Sequence, residues 1–340
     1  MDFAQLSNEE QIERLDRLVR KALLAWGITD AQVDLIKYRE NAVFSVSSVD
    51  GTRGVLRVHR PRYRSDEHIR SELSWMKALA ESGVSTPDAL RTRTGDVLAV
   101  VEADGVPEPR QCDLLSWVDG QPLGSLESGV DMDEATVRSM YRTVGEVAAR
   151  IHAHGRSWER PRSFARRPWD VGALVGEDPT FGRFWELELL TEDQLALLFK
   201  ARDRASERLK AFGQASDCYG LVHGDLVPDN ILHGPGGLRV VDFDDCGDSW
   251  YAFELATSVF PLLGSPSFEP AWEGYLEGYR SVRELPDADL SLMPTFLMAR
   301  GLSYLGWPAG RREMQSGRDI APLLVFMITD LAEKYLSDQL

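Results

Sequence analysis

The sequence predicts an α+β protein of two lobes: a small antiparallel-sheet lobe with one main helix over residues 1–118, and a larger, mostly helical lobe over residues 119–340. Three observations carry this. Strand-like alternation with a strong hairpin turn falls early in the chain, helix-period patterns dominate from residue 133 onwards, and Asp119-Gly120-Gln121-Pro122 interrupts the patterning between them as a hinge does. A chain of 340 residues is long enough for two separate cores.

Residues 8–26 come first. Ile12, Leu15, Leu18, Val19, Ala22 and Leu23 recur at helical spacing behind a cap at Ser7 or Asn8, and Gly27 suits the helix end. From Val33 to Val49 the chain alternates and is rich in β-branched residues. It reverses at Asp50-Gly51, a hairpin signal, and returns through Gly54-Val55-Leu56-Arg57-Val58-His59. A helix from Asp66 follows, with Ile69, Leu73, Met76 and Ala80 on one stripe, Glu72 beside it and Gly83 as the stop. Val97–Val101 and Gln111–Val118, separated by the turn-rich residues 104–109, read as a strand pair closing the first lobe.

The clearest helix covers residues 133–153, with Val137, Met140, Tyr141, Val144, Val147, Ala148 and Ile151 on one face; His152 and His154 at its end read as structural. Trp158, Trp169, Phe181, Phe184 and Trp185 interleave with a basic stretch and are expected to pack rather than to wall a substrate. Residues 191–212 are helical in phase. A helix is expected through Leu255–Val259, with Asp245, Asp248 and Glu254 crowding its beginning, and further helices after it include residues 279–300 and 320–336.

The chemistry is concentrated in His223-Gly224-Asp225-Leu226-Val227-Pro228-Asp229-Asn230 and, twelve residues after Asn230, Asp242-Phe243-Asp244. Between them Ile231-Leu232, the Gly234-Pro235-Gly236-Gly237 turn and Leu238–Val241 make loop, turn and short strand, so that Asp242 is presented beside the loop. Phosphoryl transfer needs such a set: an Asp to orient the attacking hydroxyl, an Asn five positions on to hold a magnesium ion, and a following Asp to bridge metal and nucleotide phosphates. Here these are Asp225, Asn230 and Asp242, and they predict an ATP-dependent kinase using Mg2+.

LVHGDLVPDNIL followed by VVDFDD resembles the aminoglycoside phosphotransferase and choline kinase-like family, small-molecule relatives of protein kinases, and the likeness extends over most of residues 35–260. The third residue of the triplet is Asp244, where kinases commonly have Gly. The resemblance implies a protein-kinase-like fold and assigns nucleotide-binding roles. Arg57 stands where kinases place a strand Lys on the phosphates, and Glu72 matches the helix Glu that pairs with that cation. Backbone groups at Ser116 and Val118 would hold adenine. No Gly-x-Gly-x-x-Gly is present, so the phosphate lid would rely on Asn41 and neighbouring N–H groups. A stress-response Ser/Thr protein kinase group shares the layout and a patch like Ser303-Tyr304-Leu305-Gly306-Trp307, and a nucleotide-binding regulator without catalysis is a third reading.

The formal charge of −16 excludes a general nucleic-acid binder, which needs clustered Lys and Arg, and favours a cationic acceptor. The expected partner is a small hydroxyl-bearing, amine-bearing molecule, with Asp245 and Asp248 as groups to receive its amine; Glu254, with them, crowds the start of the next predicted helix. No run of about 20 apolar residues is present, and MDFAQLSNEE lacks the order of a secretory signal, so a cytoplasmic protein without membrane attachment is expected. Cys112, Cys218 and Cys246 have no metal or disulfide spacing and are expected as thiols.

Overall fold

The apolar stripe of residues 8–23 finds its partner in a sheet. The computed structural model of the protein describes every residue except 1, 2, 4, 5, 126–129, 131 and 313. The chain forms two units, Met1–Gly120 with Arg160–Ala165, and Gln121–Glu159 with Arg166–Leu340. In the first, α1 (Asn8–Leu23) starts at a capping box in which Ser7 and Glu10 satisfy each other's backbone N–H. Its Leu15, Leu18, Val19 and Ala22 share one core with the sheet residues Phe44, Val46, Leu56, Val58 and Leu114.

That sheet runs β1-β2-β3-β5-β4 and is antiparallel throughout: β1 (Ala31–Tyr38), β2 (Ala42–Ser48), β3 (Arg53–Val58), β4 (Ala99–Val101) and β5 (Arg110–Ser116). The alternating run from Val33 to Val49 is divided between β1 and β2. Arg39, Glu40 and Asn41 give neither face an apolar side chain, and the chain reverses there, the Arg39 N–H donating to the Asn41 carbonyl at 3.2 Å. The second helix, α2 (Asp66–Glu81), is capped by Ser65 and buries Ile69, Leu73, Trp75, Met76 and Leu79. The Ala165 N–H donates to Ser71 Oγ at 2.9 Å, which ties the 160–165 segment to this unit.

The second unit opens with β6 (Gln121–Pro122), α3 (Glu134–Ser157), α4 (Val171–Val175) and α5 (Glu192–Phe212). Next come β7 (Tyr219–Val222), β8 (Ile231–Gly234), β9 (Gly237–Val240) and β10 (Gly247–Trp250). β6, β8 and β9 form one small sheet and β7 with β10 another. The chain continues through α6 (Tyr251–Val259), α7 (Phe268–Val282), α8 (Asp287–Leu290), α9 (Met293–Ala309) and α10 (Gln315–Leu336). α3 lies so close to α7 that glycine is required at the crossing: a Cβ on Gly145, Gly274 or Gly278 would overlap backbone oxygen of the other helix. α9 is buried on nearly all sides, consistent with its apolar composition.

Two sequence expectations are corrected here. Residues 279–300 are not one helix: α7 ends at Val282, and Pro286 and Pro294 stop one helix and start the next. The helix through Leu255–Val259 begins at Tyr251, so of the acidic residues expected at its start Asp248 lies on β10 opposite Leu221, and Glu254 is inside the helix and fully buried. The large aromatics Trp169, Phe181 and Phe184 pack in the interior as expected. Among the described residues no helix is long and apolar enough to cross a membrane.

Candidate active site

Gly224 can only be glycine. Its φ is 85°, and a Cβ there would overlap the carbonyl oxygen of Asp245. The turn that follows places Asp225 and Asn230 together: a 3-10 turn over Pro228–Asn230 brings the carboxamide back, and its Nδ2 donates to Asp225 Oδ2 and to the Asp225 carbonyl, both at 2.9 Å. With both amide hydrogens used, Oδ1 is the Asn230 atom left with lone pairs for a cation.

His223 couples this loop to the triplet. Its Nδ1 accepts from the Asp225 N–H at 3.2 Å, so the proton is on Nε2, which donates to the Val241 carbonyl at 3.0 Å. The Val241 N–H donates to the Asn230 carbonyl at 3.0 Å, and the buried Phe243 ring lies 4.4 Å from the imidazole. Asp242, directly after Val241, is exposed and has φ of 63°, a left-handed conformation that a short polar side chain tolerates better than most.

Under the loop runs a buried polar chain with one consistent direction. Arg283 Nη1 donates to Tyr279 OH (2.8 Å), Tyr279 OH to His152 Nδ1 (2.8 Å), and His152 Nε2 to Glu254 Oε2 (2.6 Å). Glu254 Oε1 ends the chain by accepting the Gly224 N–H at 2.7 Å. Burial lowers the proton affinity of His152, and a neutral imidazole suits the donor on one side and acceptor on the other.

Arg300 of α9 approaches from the far side. Its Nη2 donates to Asp225 Oδ1 and, at 3.0 Å, to Tyr304 OH, and Nη1 reaches the Gly224 carbonyl at 3.4 Å. Asp225 keeps 28% of its side-chain surface open, whereas Arg300 has none. Tyr304 is half-buried, and its hydroxyl accepts from Arg300.

In the first unit Arg57, 4% exposed, donates Nη1 to Glu72 Oε1 at 2.6 Å and, through Nε and Nη2, both teeth to Asp113 at 2.9 Å each. His59 Nε2 shares Asp113 Oδ2 at 2.6 Å. Two carboxylates engaged by one planar fork explain an Arg here, since an ammonium could not make the two-toothed contact. Asn41 is buried in the β1–β2 turn, its Oδ1 without a partner among the described residues. The Ser116 N–H donates to the Asp88 carbonyl at 2.8 Å, and Val118 follows half-buried after β5.

A model of the phosphotransferase enzyme family matches residues 37–287. The chain belongs to this family. The resemblance read from LVHGDLVPDNIL and VVDFDD is borne out. The microcompartment-associated aminopropanol kinase has 31% identical residues and a TM-score of 0.83, the match covering 94% of this chain and 97% of that one. Amicoumacin kinase of Bacillus subtilis is 24% identical over 315 residues, 90% of this chain and 86% of that one. Homoserine kinase of Gluconobacter oxydans is 25% identical over 245 residues, 69% of each. This chain is a kinase, transferring the γ-phosphoryl group of ATP to the hydroxyl of a small molecule.

The donor set of the phosphotransferase fits a hard divalent cation. Asn230 Oδ1 and the Asp242 carboxylate would offer it oxygen, and a small hard ion takes one or two protein oxygens and fills its other positions with water and phosphate. Among the described residues no group of three or more His, Cys, Asp or Glu is arranged for a metal. Asp245 and Asp248 are half-buried, and their carbonyls accept from Trp169 Nε1 and Trp169 N, both at 2.7 Å. Arg166 also grips this turn, donating to the carbonyls of Asp244 and Cys246.

Sequence reading missed Asp113, Arg166 and Arg300. For Arg300 a signal existed: a single cation inside the apolar run Phe296-Leu297-Met298-Ala299-Arg300-Gly301-Leu302 is a charge that burial obliges to find a partner. Asp113 likewise interrupts the apolar strand Cys112–Leu115, which marks it as a buried charge.

Proposed function

We propose that this phosphotransferase acts on a small alcohol that also bears an amine, with Mg2+ and ATP, in the cytoplasm. Asp225 orients the acceptor hydroxyl. As the acceptor oxygen bonds to the γ-phosphorus and the bond to the β-phosphate oxygen breaks, the hydroxyl proton passes to Asp225 and on to solvent. Asn230 and Asp242 would hold magnesium, whose chemistry is to neutralise phosphate charge. Arg57 with its partner Glu72, the Asn41 turn and the backbone at Ser116 and Val118 serve the nucleotide, and Asp245 and Asp248 receive the ammonium. The amine reading draws support from the charge of −16 and from relatives named for aminopropanol and homoserine, each an amine with a hydroxyl.

One observation carries this reading: Asp225 is held on both carboxylate oxygens yet remains open, the arrangement of a group that must meet a substrate in a fixed orientation. The test is ATP consumption by purified protein against amino alcohols, homoserine, aminoglycosides, plain alcohols and a protein mixture. Amino alcohols are expected to exceed the matching plain alcohols by about tenfold or more in kcat/KM, the worth of one charge-assisted contact. Equal turnover would remove the amine; full activity in Asp225→Asn would remove the role of Asp225.

A further inference from the structure

Arg300 has no solvent exposure, and its guanidinium lies over the Tyr304 ring at 4.2 Å, with the Phe181 and Phe253 ring centres at 5.9 and 6.0 Å. Such a cation is costly to desolvate and persists only where charge and hydrogen bonds offset the cost. Its recorded hydrogen bonds outside α9 go to two consecutive residues, the Gly224 carbonyl and Asp225 Oδ1, while Tyr304 OH, one helical turn along, steadies Nη2. Nε has no partner among the described residues, so the fork is aimed by its tip rather than held all round.

An Asp carboxylate turns easily about its last torsion, and the Asn230 contact at Oδ2 restrains it on one side only. A second grip on Oδ1 removes that rotation. It also balances a negative charge that must face an incoming anionic phosphoryl group. We propose that Arg300 is a positioning residue for phosphoryl transfer, fixing and charge-balancing Asp225 so that its remaining lone pairs meet the acceptor hydroxyl. This rests on the reading of Asp225 given above. A residue that merely pinned α9 to the loop would affect stability and leave the turnover of folded protein alone.

The experiment uses the full chain, with Arg300→Met, Arg300→Lys, Tyr304→Phe and Asp225→Asn compared for kcat, for KM of ATP and acceptor, for ATP binding by calorimetry, and for melting. Arg300→Met is expected to lower kcat about 10²-fold, the effect of a misplaced reacting group, with both KM values and ATP binding nearly unchanged. Arg300→Lys restores part of that loss, and Tyr304→Phe lowers kcat about two- to tenfold through one lost hydrogen bond. A folded Arg300→Met that binds ATP and turns over like wild type overturns the proposal. Should Arg300→Met fail to fold, wild-type kcat in both Arg300→Lys and Tyr304→Phe overturns it equally. If Asp225→Asn is inactive while the Arg300 variants are fully active, only this inference falls; if Asp225→Asn is active, the reading beneath it falls.

Discussion

Arg57 of β3 and Asp113 of β5 occupy directly paired strand positions and share two hydrogen bonds of 2.9 Å, with the carboxylate fully buried. Burial alone would raise the proton affinity of Asp113. The charges of Arg57 and His59 more than offset it and hold the carboxyl down at about 2, against its usual 3.8. A depressed folded value means that the stabilisation is complete above the unfolded value and is lost as pH falls through the folded one. The acid-sensitive part is about 2 kcal/mol, lost between about pH 4 and pH 2.

Asp113→Asn should therefore cost about 3–5 kcal/mol at neutral pH, because it leaves Arg57 buried with half its compensation. Urea unfolding of wild type and variant from pH 7 to pH 2 tests this. The gap should narrow below pH 4; a gap independent of pH would mean that the pair contributes no charge-dependent stability.

Glu254→Gln breaks the polar chain beneath the loop. A carboxamide can still accept the Gly224 N–H, but it then turns its own N–H toward the hydrogen on His152 Nε2. One buried donor must lose its partner, at about 1–3 kcal/mol. We expect a lower melting temperature together with reduced kcat, since Gly224 precedes Asp225. A variant less stable yet fully active would show that the chain supports the fold and not the loop.

Asp242→Asn separates conformation from chemistry. Asn tolerates φ near 60° at least as well as Asp, so stability should stay within about 1 kcal/mol of wild type. Phosphoryl transfer should fall by about 10²-fold or more if the carboxylate is a metal ligand. Activity rising in proportion to added divalent cation would strengthen the assignment, and unchanged activity at low metal would remove it.

Gly278→Ala tests the α3–α7 crossing. The new methyl would overlap the Arg142 carbonyl oxygen, backbone that cannot rotate away, so the helices must part. Destabilisation of about 1–3 kcal/mol is expected, the usual penalty of overpacking, read as a fall in the denaturation midpoint.

The candidate catalytic loop was legible because its geometry is local. Gly224 makes the turn, Pro228 starts the 3-10 turn, and Asn230 reaches back five residues to Asp225, all within one short segment. The helix cap, read as Ser7 or Asn8, and the helix stripes were legible for the same reason. Within the Val33–Val49 run the bounds of the two strands were not legible, because the reversal between them is made by three polar residues without a Gly or Pro. Asp248 and Glu254 were read together at a helix start, but Asp248 is on a strand and Glu254 is buried within the helix, a difference that charge alone does not reveal.

By itself, then, the sequence determined the family and the α+β class and singled out Asp225, Asn230 and Asp242 as the candidate site, since each depends on spacing within a few turns of chain. Only the tertiary structure decided how the buried charges are paired. Asp113 meets Arg57 across 56 positions, Arg300 meets Asp225 across 75, and Glu254 meets His152 across 102. A buried charge announces in sequence that it needs a partner, but the partner is chosen by which elements fold against one another.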